Sequence, residues 1–357
     1  MTRIHVLAGG FDTPNGRAFL FPLIAWRGAL RDAGLDIRVF GRAAGELADC
    51  DALLVDSKFH RGRWADEKDA VLELFTRWAQ ACPVIYCDTT DSSGSLLTDL
   101  LPIVHGYAKS QLIRDRAAYL TPMYGHRPFT DYYHRESSVT DTDPEWSPAV
   151  TDRVLLNKLR VSWNSGLADY SLHGPSRMAI YQRLPLPGLL RFPKPSKSSS
   201  SARPQDVSCR FGIDYPRATV AFQRKAVREK LAGRIDTRKL SRRHYFRELE
   251  TSKVIVSPFG YGEITLKDFE VFLTGGLLLK PDMTHMETWP DLFRGGETML
   301  AHRWDLSDFE CALDNAVANY SRHAGLAAAG QAAYRKHTSD SEAPALFAQQ
   351  LRRVIAQ

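Results

Sequence analysis

Long apolar runs are missing from this 357-residue chain. A membrane-crossing helix needs ~20 consecutive apolar residues, and the longest stretch here, Ala18 to Trp26, has nine and includes Pro22. The opening residues, Met1 to Gly10, run straight into a strand-like segment without the zones of a signal peptide. Cysteine is scarce and scattered: Cys50, Cys82, Cys87, Cys209 and Cys311. An odd number at irregular spacing argues against a disulfide framework and for a reducing cytosol. Cys82 and Cys87 lack a second Cys/His pair at ligand spacing, so a zinc site is not expected. No repeat of solenoid period is present.

What is present describes a globular chain, 44% hydrophobic and 25% charged. Its length suits two domains of ~150 residues each. The formal charge of +6 favours anionic partners such as nucleotide diphosphates. Six Lys/Arg and no Asp or Glu lie between Ser176 and Pro204, with the run Ser198 to Ser201. That composition reads as a solvated basic linker, with peripheral contact to an acidic inner-membrane face as the alternative.

Strand and helix patterns alternate through the first half. Strands are expected at Ile4–Leu7, Asp36–Phe40, Ala52–Val55 and Pro83–Cys87, and helices at Gly16–Ala33 and Asp66–Ala81. Beyond Tyr107 the pattern turns irregular to about Trp146 and reads as a loop-rich extension over the cleft. A second series begins near Val207, with helices at Ala218–Leu231, Ser241–Glu250 and Asp305–Tyr320, a capping box at Ser307–Glu310, and a final helix at Ala343–Ala356. The expected organisation is residues 1–175, a linker at 176–205, residues 206–340, and a C-terminal helix at 341–357. Two Rossmann-like α/β domains facing across a cleft is the fold this order implies.

The segment from Ser252 to Trp289 carries the chemistry. Lys253 to Val256 is strand-like, Ser257 to Glu263 a Gly-punctuated turn, Ile264 to Leu273 helical, and Gly275-Gly276 precedes a second buried strand. A helix N-terminus at the carboxyl edge of a parallel sheet is a site for phosphate. The segment resembles the donor-binding stretch of GT-B glycosyltransferases, the family-1 and family-4-like bacterial group, with Glu263 and Glu270 as its two carboxylates and Gly275-Gly276 as its small-residue pair. The resemblance extends to Asp88-Thr89-Thr90-Asp91 and Trp163 to Leu167 and covers most of the chain. Six residues separate the carboxylates, one fewer than is usual in that family, so Glu270 carries over better than Glu263.

The resemblance implies sugar transfer from a nucleotide sugar to a glycan or lipid-linked acceptor, with no cofactor and no metal. It places Glu263 by the sugar and Glu270 on the ribose, and it has the C-terminal helix at 341–357 cross back to the first half, as in GT-B proteins. Arg210, Arg217 and Arg224 become the diphosphate candidates, with Gly10, Tyr261, Gly262, Thr284 and His285 completing the donor site. Asp12 and Asp91 are candidate bases, since proton removal from an acceptor hydroxyl needs one; His60 ranks below them. The acidic triplets Asp49-Cys50-Asp51 and Asp141-Thr142-Asp143 are read as chance rather than metal motifs. A sugar-nucleotide epimerase or hydrolase, or a carbohydrate- or nucleic-acid-binding protein, is the alternative; a nucleic-acid partner is disfavoured because no recognised nucleic-acid module accompanies the basic aromatic patch Arg238 to Arg247.

Overall fold

The computed structural model describes residues 1–60 and 62–356. Its first half holds strands β1 (Thr2–Leu7), β2 (Leu35–Phe40), β3 (Ala52–Asp56), β4 (Val84–Asp88), β5 (Gly106–Lys109) and β6 (Gln111–Ile113), the two-residue β7 (Met123–Tyr124) and β8 (Trp146–Ser147), and β9 (Leu159–Val161). Helices α1 (Pro14–Ala25), α2 (Arg27–Asp32), α3 (Lys68–Ala81) and α4 (Pro128–Ser137) accompany them. One sheet runs in the order β2-β1-β3-β4-β5-β9, parallel throughout. Every residue of β3 and β4 is buried, as expected where helices cover both faces of a parallel sheet.

Helix α5 (Gly174–Arg183) leads to the second sheet, β10 (Gln205–Ser208), β11 (Ser252–Val256), β12 (Leu277–Pro281) and β14 (Leu300–His302), also parallel and in that order. Around it lie α6 (Ala218–Lys230), α7 (Arg242–Thr251), α8 (Leu266–Thr274), α9 (Phe309–Ala318) and α10 (Tyr320–Thr338). Helix α11 (Ala343–Ile355) returns to the first sheet: Gln350 donates to the Val161 and Ser162 carbonyls, and Phe347 meets the Trp163 ring edge-on at 5.0 Å.

Several elements depart from the sequence expectation. The helix expected over 16–33 breaks at Trp26, whose ring stacks on Phe192 at 3.9 Å. The 176–205 stretch faces solvent along most of its length, but it begins in α5 and ends on Arg203, which is buried and donates to the carbonyls of Leu249, Ser252 and Thr274. Ser307 bonds Asp305 instead of forming a capping box, and α9 starts at Phe309. Helix α10 went unread because its Ala- and Gly-rich turns lack apolar periodicity.

The two halves are stitched together. β13 (Met286–Thr288) pairs antiparallel with β6, Met286 opposite Ile113 and Thr288 opposite Gln111. Arg114 adds bonds to the carbonyls of Thr284 and Met286, and Arg116 pairs with Glu287 at 2.6 Å. The seam is therefore closed along this ribbon, and a cleft of about 480 Å³ persists beside it.

Candidate active site

The carboxyl edges of the two sheets meet at the turn after β11. Gly262 lies so close to the first half that an added Cβ would sit 1.8 Å from the Asp91 carbonyl oxygen. Close approach of protein backbone, not of a ligand, is what this glycine permits. Next to it, Glu263 is fully buried and accepts bonds from the Ser93 amide at 3.1 Å and the Ser93 hydroxyl at 2.7 Å, across the seam. His285 Nε2 stands 4.0 Å from the same carboxylate. Burial pushes the Glu263 carboxyl up, but His285 and Ser93 outweigh it and hold it below the usual range.

The helix N-termini expected to hold phosphate carry protein carboxylates instead. At α8, Asp268 closes a capping box with Thr265 and pairs with Lys280 at 3.0 Å, both side chains buried. At α6, Asp141 of the first half accepts from the Thr219 amide at 2.8 Å and the Thr219 hydroxyl. An anion at a helix N-terminus is stabilised by the dipole whatever its source, so these positions are already satisfied. The triplet Asp141-Thr142-Asp143 thus has a structural use, as does Asp49-Cys50-Asp51, whose acids bind Arg3.

The diphosphate candidates separate. Arg210 is occupied by Glu248 at 2.8 Å and Asp236 at 2.9 Å, which raise its pKa further. Arg224 is buried against the turn, donating to the carbonyls of Phe259 and Gly212. Arg217 faces the cleft, where it and His126 share Glu145, His126 Nε2 at 2.8 Å. Arg127 joins them from the first half and donates to the Tyr261 carbonyl. Tyr261 itself is exposed and packs edge-on to Tyr215 at 4.8 Å.

Glu270 is buried away from the cleft lining, bonded by Arg242 at 3.2 Å, and burial pushes its carboxyl up. Lys267, three residues before it, turns inward to the carbonyls of Arg210 and Val256, and desolvation lowers it to about 8. Asp12 is exposed and held by Gln182. Asp91 lines the cleft and accepts from Asn15 at 2.6 Å. Gly10 takes a positive φ of 89° in the loop after β1. Thr284 bonds Asp282 at the surface.

The structure thus gathers Asp91, Gly262, Glu263, His285 and Arg217 about one seam and leaves Asp12, Arg210 and Glu270 in other contacts. Ser93, His126, Arg127 and Glu145 went unread. Ser93 lies in the loop after β4 and the other three in the irregular first-half extension, where no periodicity marks an inward side chain. Among the described residues, no three His, Cys, Asp or Glu side chains are grouped to hold a metal.

No protein-family model and no curated protein sequence matches the chain. Among solved structures it is similar to an α-glucosyltransferase in complex with UDP-glucose and DNA containing an abasic site, at 11% identity over 100% of both chains and a TM-score of 0.45. It is also similar to the pneumococcal O-GlcNAc transferase GtfA in complex with UDP and GlcNAc, at 8% identity over 93% of this chain and 60% of that one, TM-score 0.42. TarM follows at 8% identity, 86% and 55% coverage, and 0.40. These are loose likenesses from which no residue role follows.

Proposed function

We propose that the chain is a glycosyltransferase that moves a sugar from a nucleotide sugar to a glycan or lipid-linked saccharide, without a metal. The reading rests on one observation: a cleft beside the carboxyl end of β4, lined by first-half residues, into which Arg217 reaches from the second half to share the wall with Arg127. Glu145, half exposed between Arg217 and His126, occupies the place of a displaceable anion. A donor diphosphate takes that place, and the two guanidinium groups stabilise the charge that develops on the leaving group. Asp91, on the same wall, receives the proton of the acceptor hydroxyl. Glu263, bonded across the seam to Ser93, holds the two halves in register beside it.

A panel of UDP-, GDP-, CMP- and dTDP-sugars tests it by melting temperature and donor hydrolysis. One donor at 100 times its dissociation constant stabilises the fold by ~2.7 kcal/mol. Arg217→Ala weakens that donor about tenfold. No response to any donor, or an unchanged affinity in Arg217→Ala, sinks the proposal.

A further inference from the structure

Between the carboxyl ends of β3 and β4 lies a pocket of about 200 Å³ that none of the steps above uses. Its walls are Trp64, Tyr86, Leu96 and Leu97, with His60 among them. His60 is 2% exposed, and neither ring nitrogen has a hydrogen-bond partner among the described residues. It is packed by rings, Phe75 at 5.4 Å, Tyr86 at 5.5 Å and Trp64 at 5.7 Å between centroids. Buried polar atoms left without partners are rare enough in native proteins to call for a reason.

Three other polar residues of the lining are already committed. Asp88 accepts from Lys109 at 2.7 Å, the Tyr107 hydroxyl at 2.8 Å and the Thr90 amide at 2.9 Å. Ser57 exchanges bonds with Thr89, and the Thr90 hydroxyl accepts from Lys109. The pocket thus asks for no counter-charge, and among its described lining residues only His60 is a buried polar side chain without a partner. A hexose, with several hydroxyls to satisfy, would leave most of them dry there, whereas ~150 Å³ of apolar space is enough for a benzene ring.

We propose that this pocket is a binding site for an uncharged apolar ring carrying one hydroxyl or ring N–H, which His60 recognises. Desolvation depresses His60 to about 4, so it is neutral at physiological pH and presents one N–H and one lone pair. A hydroxyl matches both. Entry is from the cleft, because Trp64, Thr90, Ser95, Leu96 and Leu97 line both spaces. The site stands whether or not the chain transfers sugars.

Calorimetry with phenol, toluene and glucose on the whole chain tests it. The parent binds phenol about five- to tenfold more tightly than toluene, one hydrogen bond's worth, and binds glucose least. His60→Leu keeps toluene and loses the preference for phenol. Ser95→Phe, a half-buried position at the mouth, blocks both rings while melting as the parent does. The proposal is overturned if the parent binds neither ring, if glucose binds as tightly as phenol, or if His60→Leu leaves the preference intact.

Discussion

Each half of the molecule buries a lysine–aspartate pair at the carboxyl edge of its sheet. In the first, Lys109 at the end of β5 meets Asp88 at the end of β4 at 2.7 Å. In the second, Lys280 in β12 meets Asp268 in the first turn of α8 at 3.0 Å. The chemistry is the same and the surroundings are not. Asp268 is also the capping-box residue of its helix and accepts from Ser257, so the second pair fills its corner. Asp88 borders an open pocket that continues into the cleft. The same ion pair therefore locks one edge and leaves space at the other.

The sharpest way to break that contrast is to remove one acid from each half. Asp268→Ala strands a wholly buried ammonium and loses a helix cap, so urea unfolding is expected to show a loss of about 4 kcal/mol or more. Glu263→Ala comes next, at about 3 kcal/mol, because the Ser93 amide and hydroxyl lose their buried acceptor. Asp88→Ala should cost less, about 2 kcal/mol, since Lys109 keeps a second acceptor in the Thr90 hydroxyl at 2.6 Å. Equal losses for Asp88→Ala and Asp268→Ala would erase the distinction.

Acid titration separates the halves in another way. Unfolded, His60 binds its proton near 6.5, but in the folded chain only near 4. Between those values the unfolded state holds more protons, so His60 lowers stability as pH falls. Asp56, raised by burial to about 6, acts with the opposite sign over part of the same window. The comparison of His60→Leu with the parent isolates the first effect: from pH 7 to pH 5 the parent should lose about 2 kcal/mol relative to the variant. Parallel pH profiles would show that His60 is not desolvated. Smallest in stability is Glu145→Gln, expected within about 0.5 kcal/mol; its readout is tighter binding of the donor found in the panel.

Much of the scaffold was legible in sequence. Wholly apolar runs such as Ala52–Val55 and Pro83–Cys87 can only be strands of a sheet covered on both faces, and the second alternating series repeats the argument. Strands β5 and β9 were not legible, being short and set among turns. The site was legible in part: the turn at Gly262-Glu263 does lie at the sheet edge, and Asp91 does reach it. What occupies that corner was not. Glu263 was read as facing a sugar and faces Ser93; Arg210 was read as facing phosphate and faces Glu248.

By itself, then, the order of residues determined two alternating α/β series, most of their helices and a helix at the C-terminus, because periodicity and burial act along the chain. Only tertiary structure decided which charges are spoken for. Ser93 and Glu263 lie 170 residues apart, as do Arg114 and Thr284. Whether a buried charge finds an internal partner or waits for a ligand depends on what folding brings within 3 Å of it, and nothing local in the sequence encodes that.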